Sequence, residues 1–296
     1  MHELDDHAFG SVYFDRRGLT VAEIAGRIVG FVHAGFGPDL PVESTAPFAL
    51  DRSMGTIAML AVEPGAEPAV ARGLILKAER YLRSSGASVL YAGGQLPLNP
   101  FYWGLYGGSE DSGIPATHLP FQEALAEMDY EPVSTTVALE FDLAETEPRD
   151  PRAVLIRRQT QLEVEEDALP DHWWENLALS DFRLARVRLL SRTGGTELAY
   201  ATTWDMSWFG RHDGQTRLGL FGVEVARTER RKGYGRFLIS ELLRYAREHG
   251  VSRVQVQTIV TNEPALALYQ SLGFLPVEQS TVYRLPAHLL NRSLTS

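Results

Sequence analysis

The fold of this chain is decided by one stretch, Val225-Ala-Arg-Thr-Glu-Arg-Arg-Lys-Gly-Tyr-Gly-Arg-Phe-Leu238. Val223 and Val225 end a strand and a short basic loop follows. A helix predicted over Arg236 to Glu248 then stacks Leu238, Leu242 and Tyr245 one above another. The start of a helix carries partial positive charge, so acidic residues are favoured there. Here Arg230, Arg231, Lys232 and Arg236 crowd that end. Each is disfavoured unless an anion sits among them. Gly233 and Gly235 let the backbone approach a ligand with its N–H groups exposed. Glycines, cations and a strand–loop–helix context together describe a phosphate cradle. The spacing fits neither the GxxxxGK[ST] of a P-loop nor the GxGxxG of a dinucleotide site.

Downstream, Val254 and Val256 alternate with Gln255 and Gln257 as on a strand. Pro264 to Leu272 reads as a short helix stopped by Gly273, and Val277 to Leu285 as a closing strand. Upstream, Thr216 to Val225 and Leu198 to Trp208 are predicted strands joined by a turn at Gly210 to Gly214. Asp171 to Phe182 reads as a helix and Val154 to Arg158 as a strand. The first half has the same plan. A hairpin over Glu23 to Phe36 breaks at Gly26, strands fall at Gly55 to Val62, Ser88 to Ala92 and Thr135 to Leu143, and a helix covers Ala69 to Arg83. Strands alternating with helices imply an α/β fold. The polar, twice-proline segment Glu145 to Pro151 reads as a linker, giving domains at 1–146 and 151–296.

The halves are related. Asn99 and Tyr106 have the spacing of Asn262 and Tyr269, 163 residues on, and that offset also lays Val62 on Val225 and Ile75 on Leu238. Tyr130-Glu-Pro-Val133 matches Phe274-Leu-Pro-Val277 at an offset of 144, which places an insertion near Gly108 to Ala126. Gly26 to Phe31 matches Gly195 to Tyr200 at an offset of 169. Ordered matches between elements of one type indicate duplication. At offset 163, Arg230, Arg231, Gly233 and Gly235 become Glu67, Pro68, Val70 and Arg72, so the first copy has lost the cradle. It also has less chain ahead of its repeat, which predicts a missing opening helical layer.

Composition narrows the function. The 296 residues carry 28 basic and 38 acidic side chains, a formal charge of −10, which disfavours nucleic acid and anionic membranes as partners. With no cysteine, disulfides, thiolate metal sites and cysteine nucleophiles are excluded. The eight histidines are scattered without HExxH, so no metal is expected. No apolar run approaches the ~18 residues of a membrane span, and the N-terminus lacks the pattern of a secretory signal. A soluble, cytoplasmic protein is expected.

Arg230-Arg-Lys-Gly-Tyr-Gly235 resembles the [RQ]xxGxG/A signature of the GNAT-type N-acetyltransferases. Thr261-Asn-Glu-Pro-Ala-Leu-Ala-Leu-Tyr-Gln-Ser-Leu-Gly-Phe274 resembles their N-xx-A-xx-LY-xx-xGF segment. The likeness covers about Pro151 to Leu285 and reaches the first half through the repeat. It implies two tandem GNAT-like domains, each a mixed, mostly antiparallel sheet flanked by helices. The first is degenerate; the second is catalytic, its sheet splayed between its fourth and fifth strands around acetyl-CoA. By the same resemblance the backbone of Val223 and Val225 would hold the pantetheine arm and acetyl carbonyl. The loop of Arg230, Arg231, Lys232, Gly233, Tyr234, Gly235 and Arg236 would hold the pyrophosphate, Asn262 would position the co-substrate, and Tyr269 would protonate the departing thiolate. The acceptor would be an amine, on a small molecule, peptide or protein, attacking the thioester directly. Strand amides suit a developing oxyanion, and a phenol of pKa near ~10 suits a thiolate leaving group.

The general base stays open. The late fifth-strand position of a glutamate in some relatives matches Gln257, and an early fourth-strand position used in others matches Gly219. Glu224 is the remaining acidic candidate, on the strand face opposite Val223 and Val225. Asp205 and His212 are further candidates, and attack by an already neutral amine needs none. Trp204, Trp208 and Phe209 are either liners of an acceptor pocket or core aromatics. A non-catalytic acyl-CoA-binding sensor would use the same cradle without turnover, and a pseudoenzyme scaffold would bind nothing.

Overall fold

The computed structural model describes residues 9–10, 12–39, 49–94, 98–99, 101–103, 108–110, 113–146, 148, 150–170, 173–179, 182–206 and 214–290. The predicted turn at 210–214, together with Tyr106, Trp208, Phe209 and His212, lies wholly or almost wholly outside these residues.

The first half contributes β1 (Leu19–Ile24), β2 (Arg27–Pro38), β3 (Leu50–Val62), α1 (Pro68–Ser84), β4 (Val89–Ala92), β5 (Ile114–Pro115), α2 (Leu119–Glu127) and β6 (Glu131–Asp142). The second contributes α3 (Ala153–Gln159), β7 (Thr160–Glu166), α4 (Trp173–Leu179), β8 (Leu184–Ser191), β9 (Glu197–Asp205), β10 (Arg217–Val225), α5 (Tyr234–Glu248), β11 (Arg253–Ile259), α6 (Glu263–Leu272) and β12 (Leu275–Arg284). The α/β class holds, and the sheet is mixed and mostly antiparallel, as expected. It is one twelve-stranded sheet, in the order β1-β2-β3-β4-β12-β6-β11-β10-β9-β8-β7, with β5 beside β12.

That order interleaves the halves. β6 lies between β11 and β12, pairing Thr136–Asp142 with Ile259–Arg253 on one side and Glu131–Glu140 with Arg284–Leu275 on the other. β12 in turn reaches β4 through Tyr283 and Arg284. Each half therefore gives its last strand to the junction. A buried carboxylate seals it: Glu140 of β6 meets Arg217 of β10 at 3.1 Å and Arg253 of β11 at 2.6 Å. Removing one partner of such a group leaves an uncompensated buried charge.

Two apolar clusters back the sheet. In one, α1 packs Leu74, Ile75, Ala78 and Leu82 against Val32, Ile57 and Leu60. In the other, α5 packs Leu238, Ile239, Leu242 and Leu243 against Val187, Leu220 and Val254. Burying each large aliphatic side chain stabilises the fold by ~1.5–3 kcal/mol.

Three expectations change. Val154 to Arg158 is helical, not extended: Ile156 is buried while Val154 and Leu155 are exposed, and the strand comes afterwards at Thr160. β8 adds a strand that the sequence reading did not contain, with Ala185, Val187 and Leu189 buried between Arg186 and Arg188. The inserted segment also moves. α2 is the counterpart of α6 at offset 144: Asp129 holds φ 61° where Gly273 holds φ 100°, each just past its helix. Tyr269 thus corresponds to Leu125 and Asn262 to His118. The extra chain lies before α2, and at this offset His118 and Leu125, not Asn99 and Tyr106, are the counterparts of Asn262 and Tyr269; Tyr106 lies outside the described residues.

Candidate active site

The parallel strands β10 and β11 pair only from Arg217–Arg253 to Leu220–Val256. Beyond Leu220 the β10 register on β9 shifts, Gly222 takes φ 59°, and β10 follows β9 to Val225 while β11 follows β6 to Ile259. The sheet splits there. A bulge bends its strand and strengthens the twist, which opens such a cleft.

The predicted cradle stands at one side of the split. Gly233 is the N-cap of α5, with φ 95° and no side chain capping the helix. The first helical bond to form is Phe237 N–H to Gly233 O, so the amides of Tyr234, Gly235 and Arg236 precede it and face outward as donors. A Cβ on Gly235 would stand 3.2 Å from Val225 Cγ2, and one on Gly233 would stand 3.3 Å from Arg152 Cζ. Arg231 is held at φ 64°, a conformation that side chains disfavour. The cations divide. Arg230 Nε donates to Val225 O at 3.2 Å and Lys232 pairs with Glu229 at 3.0 Å, both at the surface. Arg236 turns to the domain junction, donating to Ser271 Oγ at 2.6 Å and Pro148 O at 3.0 Å. Its side chain is a strut, and only its amide faces outward with those of Tyr234 and Gly235.

Tyr269 of α6 is 4 % exposed, beside Phe274 with ring centroids 5.7 Å apart. Burial, with a contribution from the charge of Glu110, pushes its phenol well above the usual value. Asn262 caps the same helix, its Oδ1 accepting from Ala265 N–H at 3.3 Å. Val223 and Val225 pack against the core while Glu224 points to solvent. Gly219 and Asp205 lie at the closed end of the strand pair, and a Cβ at Gly219 would overlap the Trp204 indole. Trp204 itself is fully buried core.

What the sequence reading missed is the far wall, which comes from the first half. A cavity of about 280 Å³ fills the split between Phe221 and Gly222 of β10 and Gln257 and Thr258 of β11, and Trp103 and Glu110 close it. The described residues there, Trp103 and Gly108 to Glu110, are held in place. Trp204 Nε1 donates to Ser109 O at 2.9 Å, Trp103 packs edge-on to Phe221 at 5.5 Å, and a Cβ at Gly108 would overlap Gln257 Oε1. Burial raises the Glu110 carboxyl to about 7, partly opposed by a hydrogen bond from the Gly222 N–H. Trp103 Nε1 and Gln257 Oε1 are buried without a partner. No sequence signal joins residue 110 to residue 222; only the expected position of an insertion near the cleft pointed that way. Among the described residues no group of three or more metal-ligating side chains occurs, and no helix is long and apolar enough to cross a membrane.

A split sheet with an uncapped, glycine-led helix beside it is the arrangement that the resemblance to the GNAT acetyltransferases implies. Residues 155–274 match the profile described as "Acetyltransferase (GNAT) family", and this stretch is a GNAT domain. Human N-acetyltransferase 8 is 39% identical over 66 residues, and human N-acetyltransferase 8B 38% identical over 66; the match spans 22% of this chain and 29% of each relative. The fold extends further. A tandem GNAT protein from the clavulanic acid biosynthesis pathway superposes with a TM-score of 0.59 at 18% identity, covering 93% of this chain and 85% of that one. The glucosamine N-acetyltransferase region of a fungal multi-domain β-N-acetylglucosaminidase gives 0.64 at 16% identity, covering 96% of this chain and 36% of that one.

Proposed function

We propose that the chain is an acetyl-CoA-dependent N-acetyltransferase whose catalytic centre lies in the second half. The halves run 1–146 and 151–296, each completed by the other's last strand. The observation that carries this reading is the split past Leu220 with the uncapped start of α5 beside it. The residues fit a CoA pyrophosphate: outward amides at 234–236, glycines where a Cβ would press on neighbours, and Arg230, Arg231 and Lys232 around them. Acetyl-CoA supplies an activated thioester carbonyl. The backbone of Val223 and Val225 orients the pantetheine arm along β10, and Asn262 sets the start of α6. Tyr269 protonates the departing sulfur. Free of other hydrogen bonds among the described residues, and held well above its usual pKa, it keeps its proton until a thiolate forms. The acceptor is an amine entering from the Trp103–Glu110 side.

The test is an acceptor panel of small amines, peptides and a lysine-rich protein with acetyl-CoA, read by free thiol release. Turnover with an amine supports the reading. Tight acetyl-CoA binding without turnover would instead mark a sensor.

A further inference from the structure

We propose that Glu110, contributed by the first half, is the general base of the reaction in the second half. The proposal rests on the acetyl-transfer reading above. Its ground is position: Glu110 lines the cavity in the split, receives the Gly222 N–H, and its charge reaches the Tyr269 phenol. Among the described second-half candidates named above, none brings an ionisable side chain to the cavity, and His212 lies outside the described residues. Glu224 points to solvent, Gln257 is a neutral amide, and Asp205 lies at the closed end of the strands.

The surroundings suit the role. Among the described residues lining the cavity, Glu110 and Glu175 of α4 are the ionisable ones, and the charge of Glu110 acts on the Tyr269 phenol of α6. β10, β11 and β6 present Gly222, Gln257 and Thr136, which do not titrate. Among the described residues lining the cavity there is no Lys, Arg or His, which favours an acceptor arriving as its ammonium, and Glu110 can return it to the neutral, attacking form. Burial moves the Glu110 carboxyl to about 7, where a base is both populated and strong enough to act at neutral pH.

The proton balance closes between two residues. The amine nitrogen forms the C–N bond at the thioester carbonyl carbon, and the C–S bond breaks with its electron pair going to sulfur. The nitrogen's proton passes to Glu110, and the Tyr269 proton passes to sulfur. Glu110 then returns its proton to the Tyr269 phenoxide, which resets both groups and leaves amide and free thiol. An acceptor arriving as ammonium first releases one proton to solvent.

Four measurements decide it. In the full chain, Glu110→Gln should lower kcat/KM by ~10²–10⁴-fold, leave acetyl-CoA affinity by calorimetry within twofold, and abolish an acid limb in the pH–rate profile with a midpoint of about 7. Without any substrate, carboxyl-carbon NMR should show one glutamate titrating at about 7 that disappears in Glu110→Gln. A Glu110 that titrates near its ordinary 4.5 overturns the proposal. So does wild-type turnover that Glu110→Gln leaves unchanged in rate and pH profile. A wild type that binds acetyl-CoA and acetylates no amine overturns the functional reading and the base with it, so the two failures are told apart by the wild type alone.

Discussion

Two helices of one design, α1 and α5, begin in opposite ways. α1 opens with Glu67 and Pro68, an acidic residue and a fixed φ at the positive end of the helix, which is what an unoccupied helix start favours. α5 opens with Gly233 in a left-handed conformation among cations. The spaces ahead of them differ too. β3 and β4 also stop pairing early, at Ile57 and Ala92, but there Phe101 and Tyr102 pack against Ala58, and Tyr102 binds His33 at 2.8 Å. Burial holds that histidine at about 4, neutral across the physiological range. In the second half the same kind of opening remains a cavity. The sheet splits in both halves; side chains fill the split in the first and leave a cavity in the second. The filled copy then supplies a wall to the open one.

The comparison can be broken most severely by separating the copies. Deleting residues 1–145 takes away β6, strips β11 and β12 of their shared partner and leaves Arg217 and Arg253 without Glu140. Loss of solubility and of cooperative unfolding is expected, by sedimentation and circular dichroism. A soluble fragment that still binds acetyl-CoA would show that the halves are independent. Next in size, Gly233→Val with Gly235→Val should remove acetyl-CoA binding from a chain that otherwise binds one equivalent. β-branched residues cannot hold φ 95° without strain, and the second change wedges α5 from Val225. Calorimetry showing two equivalent sites in the wild type would end the contrast between the helix starts.

Tyr269→Phe keeps the ring and removes the proton donor. It should lower turnover by ~10²–10⁴-fold while acetyl-CoA affinity holds. Its counterpart change in the first half, Leu125→Phe, should alter stability alone, read by thermal melting beside the thiol assay. The smallest effect concerns pH. A carboxyl raised from 4.5 to about 7 in the folded chain is protonated in both states below 4.5, loses stability as pH rises between these values, and carries the full penalty above about 7. Glu110→Gln should therefore raise Tm more at pH 8 than at pH 4.5. An equal change at both pH values would mean that the folded state does not penalise the charge.

The sequence by itself determined what neighbours along the chain encode. The uncapped, glycine-led start of α5 was legible because glycines and cations at a helix start are locally unfavourable. The stop of α6 at Gly273 was legible because the left-handed position favours glycine. The amphipathic faces of α1 and α5 followed from spacing. Short segments were misread where local pattern is ambiguous: Val154 to Arg158 has too few residues for periodicity to separate a strand from a helix. Only the tertiary structure decided the exchange of β6 and β12, because strand partners are chosen by long-range packing and by buried pairs such as Glu140 with Arg253. Only it decided that Leu125 stands where Tyr269 does, because α2 leads into β6 as α6 leads into β12. And only it carried Glu110 to Gly222, for a loop is placed by what pins it, here Trp204 and Gln257 from the other half, and nothing in its own residues names those partners.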